Sequence, residues 1–313
     1  DRGQPSRRHQ LVHRPDHVLG VHDQHRRAVF HQRAGGDVLD LAELRVERLH
    51  HQLALAEKAI DDDAVGVLQV AHDDDREVGG GRKFSLELED RFLLLLLYYR
   101  TYVTYMFLGF IFGIHESRPG RLFKPLEPLL ADIFKIPERR IDMGEDEIRA
   151  AFFDGTEQPT NRPKRRQGEW YSGKKKRHTI KHQVVVVKRR KKNGHGKRKL
   201  RIAAVSKAFT GKTHDKRMYE QTRSHAPPGV EGKGDLGFLG TSLGVPIKKP
   251  KGKELTKEQK VSNHRHSSQR IVAEHGIGKM KIWRICRDQF RGQRKDHTLM
   301  FKNIAGFHNL MFA

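Results

Sequence analysis

The chain has 313 residues and carries 62 Lys and Arg against 38 Asp and Glu, a formal net charge of +24. Such a length leaves room for two domains or for one with tails, and the basic excess favours a polyanionic partner, nucleic acid first, through phosphate neutralisation and counterion release. The single Cys286 excludes an intramolecular disulfide and any cysteine-based zinc site, which fits a reducing compartment, and no signal-peptide pattern opens the chain.

The charge is unevenly spread. Residues 1–82 hold 12 basic against 15 acidic side chains, a net −3, so the remaining 231 residues carry 50 against 23, a net +27. The first segment has no Asn, Thr, Tyr, Met, Trp or Cys and takes nine of the twenty His. That composition is foreign to the rest of the chain and fits read-through of GC-rich flanking DNA. We expect it to stay disordered. Its runs Asp61-Asp62-Asp63 and His72-Asp73-Asp74-Asp75 lack fixed ligand spacing and read as solvated charge before they read as a metal site. Leu41, Leu44, Leu49, Leu53 and Leu55 would share one side of a helix over residues 40–60.

Residues 83–137 read as a small helical domain. The apolar run 92–114 approaches the roughly 20 residues that cross a bilayer. Arg100 near its middle, scattered Tyr and Thr, and the basic sequence that follows favour two buried helices instead. Glu87, Glu89 and Asp90 suit a first helical turn. Thr101 and Thr104 offer an N-cap for the second helix and Gly113 a stop. A third helix is expected over residues 116–130, which makes a helix-turn-helix pattern. Pro119 fits its first turn, whereas Pro125 would break a longer recognition helix.

Strand signals begin near residue 148. Ala150-Ala151-Phe152-Phe153 runs into Asp154, placed by this reading at the end of a first strand. Val184 to Val187 and Leu200 to Val205 are further short apolar runs of the kind that fill a sheet centre. Basic stretches, Lys174 to Arg177 and Lys188 to Lys199, suit exposed hairpin ends. Residues 256–283 read as a long helix carrying Glu274, weakened locally by Gly276 and Gly278.

Three short acidic motifs stand out in the basic region. Taken singly, Asp154 is a turn-forming Asp-Gly pair, Asp235 a glycine-flanked turn, and Glu274 a partner for Arg270 one helical turn earlier. Together they fall into longer motifs: Asp154-Gly155-Thr156-Glu157-Gln158-Pro159, Tyr171-Ser172-Gly173-Lys174-Lys175-Lys176-Arg177-His178, Gly211-Lys212-Thr213-His214-Asp215, Gly234-Asp235-Leu236-Gly237-Phe238-Leu239-Gly240, Ser267-Ser268-Gln269-Arg270-Ile271-Val272-Ala273-Glu274-His275 and Ala305-Gly306-Phe307-His308-Asn309-Leu310. In this order they resemble the DDE transposases of bacterial insertion sequences, over residues 84–313. Phe238 departs from the resemblance, standing where relatives carry Tyr.

The resemblance implies an α/β (α+β) fold: an RNase H-like mixed sheet flanked by helices over residues 138–313, preceded by the helix-turn-helix-like domain at 83–137. It also implies that Asp154 on the first strand, Asp235 after a later strand and Glu274 on a following helix are the catalytic and metal-binding carboxylates. They would hold two Mg²⁺ or Mn²⁺ ions per active site, since two cations ~3.5 to 4 Å apart need shared anionic oxygens. Asp215 is the rival for the second carboxylate, and otherwise caps a helix. His178, His214 and His275 are softer donors, suited to scaffold or phosphate contact.

The implied activity is cut-and-paste transposition: binding of terminal inverted repeats, cleavage at the element ends and joining to target DNA. Candidate DNA contacts are Lys174, Lys175, Lys176, Arg177, Lys248, Lys249, Lys251, Lys253, Arg270, Lys279 and Lys281, although a lysine-rich loop is usually a solvated face. Trp170 and Tyr171 could stack on bases, while Trp283 suits a core. The expected partners are double-stranded DNA and further copies of the chain, in a bacterial cytoplasm on the nucleoid, with no membrane and no small-molecule cofactor. Two other readings stay open, an inactive transposase relic that only binds nucleic acid and a protein anchored by residues 92–114.

Overall fold

The computed structural model describes residues 86–144, 146–189 and 200–312. The expectations for residues 1–82, including the helix at 40–60, and most of the basic stretch after Lys188 lie outside these.

The apolar run forms two helices, α1 (Leu88–Thr101) and α2 (Tyr105–Phe112), and no helix among the described residues is long and apolar enough to cross a membrane. Glu89 and Asp90 occupy the first turn of α1, where carboxylates meet unpaired backbone donors. Thr104 caps α2 by accepting from the Phe107 amide at 3.3 Å, and Gly113 closes it at φ 61°. Thr101 does not cap: its hydroxyl donates back to Leu97 O at 2.6 Å. The single third helix is corrected to two, α3 (Pro119–Phe123) and α4 (Leu126–Phe134). Pro119 begins the first and Pro125 the second, because a proline has no amide with which to continue a helix.

The sheet is built on β1 (Ile148–Pro159), the short β2 (Tyr171–Ser172), β3 (Arg177–Arg189), β4 (Leu200–Val205), β5 (Phe209–Thr210) and β6 (Gly232–Lys233). β1 and β3 run antiparallel, with Phe153 opposite Val185 and Asp154 opposite Val184. The far edge of β3 is shared by β2, β5 and β4, and β6 lies parallel to β1 with Gly232 opposite Ala151. This is the mixed sheet flanked by helices that the sequence led us to expect. One placement is corrected. Asp154 does not end its strand, since β1 continues to Pro159 opposite Thr179.

Alternation along the strands sorts the core onto two faces. Phe152, Val184, Val186 and Ile202 pack under Ala273, Ile277 and Met280 of α7 (Lys257–Met280). Phe153, Val185, Val187 and Ala204 pack on the other face against Tyr219 of α6 (Asp215–Thr222), Phe238 and Leu243. α7 begins with the capping box of Thr256 and Gln259. It runs unbroken through both glycines. A methyl at Gly276 would lie 3.1 Å from both Val186 methyls, so the missing side chain lets helix and sheet approach.

The helical segment shares the first of these cores. Phe92 meets Phe307 of α9 (His297–Phe312) with ring centres 6.2 Å apart, and Trp283, 6% exposed, stacks on Phe307 at 5.4 Å. Polar joints reinforce the contact. Tyr99 Oη donates to Glu127 Oε1 at 2.7 Å, Asn303 Nδ2 donates to Glu127 O at 2.9 Å, and Arg291 lies 4.1 Å over the Tyr102 ring. Asn309, from the closing motif, brackets Ile202 with one bond to its amide and one from Nδ2 to its carbonyl, at 2.8 and 2.9 Å.

Candidate active site

The candidate site gathers where the middle of β1 meets the turn after β6. Asp154 shares the face of Phe152, the side covered by α7, and its Oδ1 accepts from the Gly155 amide at 2.9 Å. Burial pushes its carboxyl up to about 6, Arg270 opposes that shift, and the charges of Asp235 and Asp215 add to it. Asp235 precedes a 3-10 turn (Leu236–Phe238), and its Oδ1 accepts from the Gly237 amide at 2.8 Å. Phe238, which has no hydroxyl, is fully buried edge-on to Tyr219, so the departure from Tyr fills the second core.

Asp215 is the first residue of α6, but it does not cap the helix. No side-chain hydrogen bond caps α6; Asp215 faces Lys181 at 3.8 Å instead, which corrects the capping expectation. Burial raises its carboxyl above the ordinary value, with Lys181 opposing and Asp235 adding. Asp154, Asp215 and Asp235 therefore act on one another, and burial among like charges disfavours the charged forms of Asp154 and Asp215.

Glu274 stands apart. On α7 it is exposed, and its Oε1 takes a 3.3 Å contact from Arg270 one turn earlier. Arg270 is mostly buried and also acts on Asp154, so it lies between the two carboxylates that the sequence placed together. Hydrogen bonds fasten this part of α7 to the Asp235 turn: His266 Nε2 bonds Gly234 O at 2.8 Å, and Lys233 Nζ donates to Gln269 Oε1. None of these ties was read from the sequence, because each joins residues more than thirty positions apart.

The candidate DNA contacts divide. Lys174 acts on Asp215, and Lys175 on Lys281, which burial and that neighbour hold below the ordinary lysine value while Asp154 pulls the other way. The Lys174 to Arg177 hairpin end is exposed and thus borders the carboxylates. Lys248, Lys249, Lys251 and Lys253 are exposed on the loop before α7. Asn263 pins that loop by accepting from the Ile247 amide and donating to its carbonyl, at 2.8 and 2.9 Å, and Lys249 pairs with Glu254. Lys279 turns away, its Nζ 4.1 Å over the Phe312 ring. Trp170 lies under Arg294 at 4.9 Å, whereas Tyr171 is exposed.

In kind these groups suit a hard divalent cation: they are carboxylate oxygens, and two of them are buried against like charge that a cation would relieve. Asp154 and Asp235 are near enough for their charges to act on one another. Among the described residues no three His, Cys, Asp or Glu side chains already converge at ligand spacing, so Glu274 would join only by leaving Arg270.

Comparison with known proteins adds independent observations. A family model described as DDE superfamily endonuclease matches residues 153–309, and one described as helix-turn-helix of DDE superfamily endonuclease matches residues 84–136. The chain is 32% identical over 256 residues to a probable transposase for insertion sequence element IS702 of Microchaete diplosiphon, spanning 78% of this chain and 88% of that one. It is 30% identical over 233 residues to a putative transposase for insertion sequence element IS112 of Streptomyces albus G, spanning 74% and 82%. No solved structure matches it.

Proposed function

The chain belongs to the DDE superfamily endonucleases, and we propose that it is the transposase of an insertion sequence that binds the terminal inverted repeats, cleaves DNA at the element ends and joins them to target DNA. The observation that carries this reading is the placement of Asp154 and Asp235 on adjoining strand and turn, where their like charges act on each other beside a basic hairpin. That combination suits phosphodiester chemistry, which needs anionic cation ligands next to cationic phosphate contacts.

Asp154, Asp235 and Glu274 are the residues that would hold the cations. Divalent cations, Mg²⁺ or Mn²⁺, would supply an activated water or 3′-hydroxyl and stabilise the leaving oxygen. The chain's own residues do the rest. Lys174, Lys175 and Lys281 hold the DNA backbone at the carboxylates without reading its sequence. Arg270 carries charge between Asp154 and Glu274, where a bound phosphate would draw it off. In the helix-turn-helix segment the reading helix is short, with Arg121 and Lys124 exposed at and just after α3. Assembly of more than one copy on DNA follows from the need to bring two element ends together.

The test is Mg²⁺-dependent nicking of DNA that bears the element's ends, by the full chain and by its Asp154→Ala variant. Nicking that Asp154→Ala abolishes is expected. Binding without nicking would instead support an inactive relic, a reading favoured by the foreign composition of residues 1–82, the short reading helix and the orientation of Glu274 toward Arg270, and nicking unchanged by the substitution would end the proposal.

A further inference from the structure

We infer that Asp215, anchored by Lys181, is a positioning residue that sets the spacing between Asp154 and Asp235 by wedging its carboxylate between the backbones that carry them. The inference rests on the reading of those two aspartates as cation ligands. Three observations carry it.

The first is the fit of the carboxylate. A methyl group at Gly155, the residue after Asp154, would fall 2.6 Å from Asp215 Oδ1, and one at Gly237, whose amide bonds Asp235, would fall 2.7 Å from Asp215 Oδ2. One carboxylate thus abuts both stretches, one oxygen on each, and a Cβ at either glycine would have to push it aside. Neither glycine has a positive φ, so the constraint is one of space.

The second is the anchor. Lys181 on β3 is itself largely buried, and its Nζ donates to Thr213 O at 2.9 Å, contacts Glu157 Oε1 at 3.1 Å and faces Asp215 Oδ1 at 3.8 Å. Glu157 also accepts from Thr179 at 3.1 Å. Burial opposes ionisation of Glu157, but hydrogen bonds from Ser172 and Lys181 outweigh it and hold the carboxyl below its ordinary value. The cation and its anionic counterpart come from adjacent strands of the sheet, so α6 is registered on the same β1–β3 pair that carries Asp154.

The third is the place of Asp215 in the turn. It opens α6 without serving as a cap, so capping does not account for its side chain. The packing of Met218 and Tyr219 beneath fixes the helix on which it stands. Groups that orient ligands without binding the ion change metal affinity when removed, typically by 10–100-fold.

The experiment is Mn²⁺ titration of the full chain, followed by electron paramagnetic resonance and so independent of DNA cleavage, with thermal melting in parallel. Asp215→Ala should weaken Mn²⁺ binding about tenfold or more, and Asp215→Asn, which keeps the wedge, clearly less. Gly155→Ala should weaken it too, and adding Asp215→Ala to Gly155→Ala should do little further harm, since the second change removes the clash. Lys181→Met unpins the wedge without altering it and should shift affinity in the same direction; it carries the test if Asp215→Ala does not fold. Wild-type affinity in both Asp215→Ala and Lys181→Met would overturn the inference. So would loss in Asp215→Asn as deep as in Asp154→Asn, because Asp215 would then be a ligand. Unchanged Mn²⁺ binding in Asp154→Ala would instead overturn the parent reading.

Discussion

The helical layer and the carboxylate edge of the same molecule solve opposite problems. Around α1, α4 and α9 buried hydrogen bonds tie the helices together: Tyr99 donates to Glu127, and Asn303 donates to the Glu127 carbonyl. Aromatic rings fill the space between them, as in the 4.9 Å stack of Tyr98 on Phe123 and the 4.9 Å edge contact of Phe134 with Phe307. At the carboxylate edge, Asp154, Asp215 and Asp235 act on one another with Arg270 and Lys181 as the nearest opposing charges. One region converts apolar burial into stability. The other holds like charges together, and it can do so because β1 is paired on both edges and packed on both faces, under α7 on one side and against Tyr219, Phe238 and Leu243 on the other.

That contrast should fail or sharpen under mutation. The largest separation is expected for Asp154→Ala. It should remove nicking by about a thousandfold or more, several kcal/mol of transition-state stabilisation, while the melting temperature in the absence of metal does not fall. A matching loss of stability would show that Asp154 belongs to the structural region. Leu95→Ala is the mirror image. Leu95 is fully buried, and its truncation should cost about 2–5 kcal/mol in denaturant unfolding while leaving the metal dependence of residual nicking unchanged.

Acidity tests the same division. The Asp154 carboxyl titrates near 6 in the folded chain against 3.8 for an ordinary Asp. Protonation therefore stabilises the fold fully below about pH 4, and that contribution is lost as pH rises through 6. Without metal the loss should amount to at most about 3 kcal/mol. Asp154→Asn should flatten that part of the stability profile, and Mn²⁺ affinity of the unaltered chain should rise with pH over the same window. A profile that is flat in both proteins would show that the carboxyl is not desolvated. The smallest effect is expected at the seam of the two regions. Gly276→Ala should cost about 1–3 kcal/mol by overpacking Val186, and should shift nicking only as far as it moves Glu274 on α7.

Much of this was legible in the chain because it is local. A short apolar run placed Val184 to Val187 in the sheet centre, Thr104 and Gly113 bounded α2, and the residue order 154, 235, 274 marked the acidic motifs. The long helix read over residues 256–283 appears as α7. Asp154 was misplaced within its strand, because Asp-Gly reads as a turn, and only pairing with β3 out to Thr179 keeps the backbone extended. Asp215 was read as a cap, because position at a helix start is visible in sequence and the approach of Lys181 from another strand is not.

The sequence by itself determined most element types and the basic surround, since charge, capping and periodicity are properties of neighbours along the chain, and its motifs singled out the carboxylates through the family resemblance. The tertiary structure decided which carboxylates act on one another, that Arg270 stands between Asp154 and Glu274, and that Lys279 faces Phe312 instead of the hairpin. These are distances between residues far apart in sequence. They are fixed by strand register and by the apolar contacts of α7 and α9, and no local pattern encodes them.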